Sequence, residues 1–369
     1  MKVRPITLGV LLLTTSCLLG SAMAQDAQIA PGSERPMFTR FRGQLHTPKN
    51  AVEAATTPLK TWNGSFTFSG TTYKYNMVGT APSTGSSTTV QVKIIPIKIV
   101  ITGKGPGATT TTFDPAHVLS NGKSVTTNTV QSPLFSAIPF SSGGVSMGTT
   151  QYIDAYQRAN FWGTVSSHTG YHVLLGGPTV LAEQTLRPPS RSGKTGVVFG
   201  FNAGLVDINW FDSQLHTLIT NLGITPNTFP IFLTYNVYLT QNNSCCIGGY
   251  HSSTGLASAP QSYAHATYVG RAGSFAQDVS ALSHEIGEWA DDPLVVNNGN
   301  NTPCGILENG DPLENNSNFG GFPYKGTNGF TYNLQDLVTL PYFGAPPSTS
   351  VHGEFTFHGE ALTVCENGS

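Results

Sequence analysis

The stretch that most constrains this chain is Ser283-His284-Glu285-Ile286-Gly287-Glu288-Trp289-Ala290-Asp291-Asp292-Pro293. It gathers one histidine and four carboxylates in a sequence where only 10% of residues are charged. Asp278, Val279, Ala281, Leu282, Ile286 and Trp289 recur at helical spacing, and Ser274 with Gln277 reads as a capping box that would start the helix. Pro293 closes it, because proline disfavours helical geometry in the residue before it. His284 and Glu288 are four apart, so both side chains point the same way.

The arrangement is that of a His-Glu-x-x-His zinc helix with glutamate in place of the second histidine. Zinc accepts a carboxylate oxygen as well as an imidazole nitrogen. Glu285, beside the first ligand, is placed to take a proton from a water that the metal activates. The competing reading is a surface helix whose acids only solvate it. The scarcity of charge elsewhere and the acids that follow favour the metal. A site with three protein ligands needs one more after His284 and Glu288, and Asp292, Glu308 and Asp311 are the contenders. The direction of Asp292 depends on how the helix ends. Glu308 and Asp311 lie in Cys304-Gly305-Ile306-Leu307-Glu308-Asn309-Gly310-Asp311, whose Asn-Gly-Asp could equally be a self-capping turn. Ligation this rich in carboxylates also suits calcium.

Two other histidines bear on the site. His251 follows a glycine pair at the end of a strand pattern, Pro230 to Leu239 and then Cys245 to Tyr250. From there it can reach a cleft and steady an oxyanion, or it can sit in a solvent-facing loop. His265 lies in a strand-like segment before the helix. That segment is a candidate for holding an extended substrate, with core packing as its default reading.

Residues 1–24 read as a secretion signal, with Lys2 and Arg4, an apolar run from Ile6 to Leu19, and Ala22-Met23-Ala24 at the cleavage position. The run is too short for a stable membrane span, and a lipoprotein reading at Cys17 is the minor alternative. Cleavage would leave 16 basic and 20 acidic residues (18 − 2 and 20 − 0), a net charge of −4, with no basic patch for a nucleic-acid partner. Secreted or periplasmic location follows, with no membrane partner after signal removal. Residues 25–58, punctuated by Pro31, Pro36, Pro48 and Pro58, read as a flexible arm or a propeptide. From residue 59 to 369 strands and helices mix without an internal repeat. Ser65–Tyr75 is a hairpin, Thr88–Ile101 a buried strand with Pro96 at a bulge or edge, and Thr149–Trp162 and Asp207–Leu222 are helices. His172–Leu175, Thr195–Phe201, Phe330–Leu340 and Phe355–Phe357 are strand-like. The expected fold is α+β, one domain with a mixed β-sheet around the metal-binding helix. In an oxidising compartment Cys245, Cys246, Cys304 and Cys365 allow two disulfides in three connectivities. Because bridging adjacent cysteines is strained, Cys245 and Cys246 are each expected to reach a distant partner. The spacing does not support an all-thiol zinc site.

These pieces together resemble the Exordium-like (phosphate-induced protein) family and exported zincin-like His-Glu-x-x-Glu proteins. The resemblance is carried by Phe232–Thr240, Cys246–His251, the helix with His284, Glu285, Glu288, Asp292 and Pro293, and Glu308-Asn309-Gly310-Asp311. Phe330-Thr331-Tyr332-Asn333-Leu334 fits as well. It covers about the last two fifths of the chain, and departs from the family in the adjacency of Cys245 and Cys246 and in Pro312 after Asp311. It implies a zincin-like domain with His284, Glu285, Glu288, Asp292, Glu308 and Asp311 as the constellation. The expected function is an exported zinc-dependent hydrolase, a metallopeptidase acting on a peptide or protein substrate. The alternative is a non-catalytic extracellular binding or signalling protein with a structural metal or none.

Overall fold

The apolar run from Thr88 to Ile101 becomes the axis of a mixed sheet. Strand β1 (Ser87–Thr102) places Val90, Val92 and Ile94 on one face and Ile95, Ile97, Ile99 and Ile101 on the other. Both faces are covered, which is why its second half is apolar at nearly every position. Strand β2 (Thr228–Tyr235) pairs with it in parallel, and the hairpin β3 (Gly249–Leu256) and β4 (Ala259–Tyr268) extends the sheet, with β4 parallel to β2. The computed structural model describes residues 35–37, 44–47, 57–105, 107–242, 244–295, 301–360 and 362–365. The result is α+β, with far more strand than helix and a mixed sheet at its centre.

Two helices sandwich this sheet. Helix α2 (Ile208–Asn221) is capped by Asp207, whose carboxylate accepts from the Trp210 N–H at 2.9 Å. It buries the predicted face of Ile208, Phe211, Leu215, Leu218 and Ile219. On the opposite face lies α3 (Ser280–Asp291), the helix read from the sequence, and every one of its residues is buried. It packs against β3, β4, the strand Thr331–Gln335 and helix α1 (Tyr152–Asn160). Trp289 anchors it, stacking on Phe229 with ring centroids 3.9 Å apart and donating Nε1–H to the Ser262 hydroxyl at 2.9 Å.

Several expectations change. The helix starts at Ser280, not at the Ser274–Gln277 box. Ala276 and Asp278 take positive φ (60° and 43°), and the Asp278 carboxylate is held by the Asn333 N–H and side-chain amide. The run Pro230–Leu239 is two strands: Asn236, at φ 53°, breaks it, and Val237–Gln241 joins a separate four-stranded sheet. Pro96 is neither at a bulge nor at an edge. It sits where the neighbour of β1 changes from Thr179–Val180 to Gln184–Leu186, so its missing N–H interrupts no ladder. Phe355–Phe357 forms only a bridge from Thr356 to Val338. The cysteines pair as Cys245–Cys246 and Cys304–Cys365, which overturns the expected long-range partners for the adjacent pair.

Strand β4, read as a place for an extended substrate, is paired on both sides, by β2 and β3, and has no free edge. Beyond β3 the sheet ends at Gln44–His46, which pairs in parallel with Thr254–Leu256. Arg35 and Met37 exchange backbone hydrogen bonds with Cys245, Cys246 and Gly248. These pieces belong to the segment read as an arm or propeptide. The segment read as a secretion signal lies outside the described residues. No helix among the described residues is long and apolar enough to cross a membrane.

Candidate metal centre

Burial is the first unusual property of the face that α3 turns toward Glu308. His251, His284, Glu285, Glu288, Asp292 and Glu308 are all at most 3% exposed. Charged carboxylates are not left in such surroundings unless cations or protons accompany them.

Helix α3 supplies His284, Glu285 and Glu288. As the four-residue spacing predicted, His284 Nε2 meets Glu288 Oε1 at 2.9 Å. Strand β3 supplies His251, whose Nδ1 lies 3.3 Å from Glu285 Oε2 and 3.6 Å from Glu288 Oε2. The other ring nitrogen, Nε2, is 2.9 Å from the Asp292 carbonyl oxygen. A carbonyl can only accept, so Nε2 carries a hydrogen and Nδ1 turns its remaining position on the carboxylates. His251 therefore stands as a ligand-type donor, with no N–H left to steady an oxyanion unless the ring is protonated. The loop after Cys304 brings Glu308 beside Glu288 and Asp311 Oδ1 to 3.5 Å from His284 Nε2. Asp311 is the one partly exposed member, its side chain 31% accessible. Asp292 ends α3 and contributes its backbone carbonyl to His251.

Two close approaches explain the glycines around the centre. A Cβ on Gly310 would lie 2.3 Å from His284 Nδ1, and one on Gly249 would lie 2.7 Å from Glu285 Oε1. The Glu308–Asp311 loop can pass over the imidazole, and β3 over the glutamate, only without side chains there. The loop is further fixed from behind. Asn309 Nδ2 donates to the Gly287 carbonyl at 2.9 Å, and Gln335 Nε2 donates to the Gly310 carbonyl at 3.0 Å. Asp291, read from the sequence only as one more acid of the cluster, accepts from Tyr156 (2.9 Å), Gln157 (2.5 Å) and Asn309 (3.1 Å). It ties α1 to α3 behind the centre. The sequence signal for this was weak: aromatic positions on Thr149–Trp162 that also suit plain core packing.

The electrostatics follow from crowding several carboxylates in a dry space. Burial pushes Glu285 up to about 7, with His251 and His284 pulling the other way and Glu288 adding to the rise. Glu308 is raised well above the usual range by burial and by Glu288. For Glu288 burial also opposes ionisation, but the attraction of His284 and His251 outweighs it and holds the carboxyl down at about 2. Burial likewise opposes the charged form of His284, yet Glu288 and Asp311 dominate and raise it well above the ordinary imidazole value.

Two sets of donors lie close enough to hold an ion: His251, Glu288 and Glu308, and His284, Glu285 and Glu288. Within each set the ligand atoms are all within 4.8 Å of one another. Glu285 Oε1 and Glu308 Oε1 are buried without a hydrogen-bond partner, as expected of oxygens that await a cation or proton. Imidazole with carboxylate suits zinc, and the donor set fits such an ion. Of the residues read as metal ligands, His284, Glu288 and Glu308 fall in these sets, joined by Glu285 and His251, whereas Asp311 and Asp292 border the centre outside both. Comparison with protein-family models, with characterised proteins and with solved structures finds no match, so the likeness to the Exordium-like family rests on the quoted residues alone.

Proposed function

We propose that the protein is an exported zinc-dependent hydrolase with peptide bonds as its substrate class. The observation behind this reading is Glu285. It shares a helix with two ion-binding donors, has a carboxylate oxygen without a hydrogen-bond partner, and titrates at about 7. A site that only braces the fold needs ligands and has no use for a near-neutral base among them; proton transfer at neutral pH needs that base.

In this reading His284, His251, Glu308 and the shared Glu288 would supply the metal ligands, drawn from the two donor sets, with Asp311 beside His284. The ion supplies Lewis acidity and lowers the pKa of a bound water. Glu285 takes the proton from the attacking water and passes it to the leaving amine. His251, its Nε2–H anchored on the Asp292 carbonyl, keeps Nδ1 trained on Glu285 and Glu288. Asp311, being partly exposed, marks the side from which substrate would approach.

A second reading is favoured by one observation: all donors except Asp311 are buried to the level of a core. That suits an extracellular binding protein with a structural metal. Glu285→Gln separates the two. The expected result for a hydrolase is zinc still bound and a fall in cleavage of a mixed peptide library of roughly 10²–10⁴-fold. Unchanged cleavage would remove Glu285 from the chemistry, and no cleavage by the zinc-loaded wild type would favour the structural reading.

A further inference from the structure

We infer that the centre is built for two divalent cations, bridged by the Glu288 carboxylate; this deepens the metal reading above and rests on it. The two oxygens of Glu288 serve different partners. Oε1 faces His284 Nε2 at 2.9 Å, whereas Oε2 faces His251 Nδ1 at 3.6 Å. Each imidazole also has a second carboxylate near it. Asp311 lies with His284, at 3.5 Å, and Glu308 lies within ligand distance of His251. The two candidate donor sets thus share one residue, Glu288, and it is a residue with two donor atoms aimed in two directions. A carboxylate that presents one oxygen to each of two ions is the usual bridge in paired-metal hydrolytic sites, where the ions stand about 3.5–4 Å apart.

Charge points the same way. Glu285, Glu288, Asp292 and Glu308 are buried, and Asp311 borders them. With one divalent cation, the remaining buried carboxylates would have to keep protons to stay neutral, and a second cation would take the place of those protons. Two divalent cations match the four buried carboxylates. The partnerless oxygens are also distributed in accordance with this: Glu308 Oε1 belongs to the His251 set and Glu285 Oε1 to a member of the His284 set. A single ion would use one set and leave a buried carboxylate oxygen of the other unsatisfied. The donors, oxygen-rich with one imidazole per ion, suit Zn²⁺, Mn²⁺ or Co²⁺.

The test is metal stoichiometry of the whole purified chain after loading with zinc chloride and removal of the excess, by native mass spectrometry alongside elemental analysis. Two zinc ions per chain are expected. His251→Ala and Glu308→Gln should each fall from two to one, and His284→Ala should also keep one, because the sets fail separately. Loading with Co²⁺ gives a readout independent of variants and of activity: a bridged pair shows magnetic coupling in electron paramagnetic resonance. One ion per chain in wild type, with uncoupled Co²⁺, would overturn the pair while leaving a metal centre. No ion at all would overturn the proposed function as well. Should a variant fail to fold, as judged by circular dichroism, the wild-type stoichiometry and the cobalt signal still decide.

Discussion

Two buried histidines, one residue apart in the register of the same hairpin, have opposite fates. His251 on β3 stands opposite Ala264, and His265 on β4 stands opposite Tyr250. The pleat sends them to opposite faces of the sheet. His251 faces α3 and its carboxylates, which overcome the penalty of burial and raise its pKa. His265 faces α2, edge-on to Phe211 with centroids 4.7 Å apart, and its side-chain hydrogen-bond partner among the described residues is the Thr234 hydroxyl at 3.1 Å. There burial goes unopposed and lowers its pKa to about 3. Both are at most 1% exposed, so burial alone does not make a functional histidine. What differs is the company of each ring: Glu285 and Glu288 beside His251, and Phe211, Tyr250 and the Thr234 hydroxyl beside His265, with the buried Asp212 engaged by Tyr250 and Tyr263.

Exchanging each ring for leucine tests that contrast most strongly. His251→Leu takes the imidazole away from Glu285 Oε2 and Glu288 Oε2 in a buried space, and removing one partner of such a group costs about 3–5 kcal/mol. The expected result is a large fall in the urea midpoint of the metal-free protein, together with weaker zinc binding. Equal urea midpoints for His251→Leu and His265→Leu would dissolve the contrast. A smaller effect is expected from Gly310→Ala, whose methyl group would press on the His284 ring. Displacing the support of a ligand in this way weakens metal binding about 10–100-fold. Competition with a zinc chelator measures it, and unchanged affinity would mean that the loop yields without moving the imidazole.

Much of the centre was legible because a helix fixes direction by spacing alone. His284 and Glu288 had to share a face, and the shortage of charge elsewhere singled them out. The face of α2 was legible for the same reason. The role of His251 was not, because nothing in Gly248-Gly249-Tyr250-His251 says which side of a sheet the ring will take; that depends on register with β4, a long-range property. The start of α3 was misread because Ser274 and Gln277 match a local pattern, while Asp278 is held by Asn333, far away in sequence. Likewise the segment around His265 could be read as holding a substrate because its sequence does not show that β2 and β3 pair with it on both sides. Local periodicity was readable; pairing was not.

The smallest effect at neutral pH comes from His265→Leu, and its pH dependence is the finer probe of the same contrast. At pH 7 the substitution removes one buried hydrogen bond to Thr234, worth about 1 kcal/mol. The sign then changes with acid. His265 titrates at about 3 when folded and near 6.5 when unfolded, so between those values the unfolded chain holds a proton that the folded chain lacks. The contribution of this histidine to stability is complete above pH 6.5 and is lost as pH falls toward 3. The leucine variant has no such loss. Its urea midpoint should therefore lie slightly below that of wild type at pH 7 and above it by pH 4. His251 runs the other way in the metal-free protein: its raised folded value means its contribution is present below the unfolded value and lost as pH rises through the folded one. A difference between His265→Leu and wild type that stayed constant from pH 7 to pH 4 would show that His265 does not titrate as a neutral core residue, and the opposition between the two faces would fail at its simplest point.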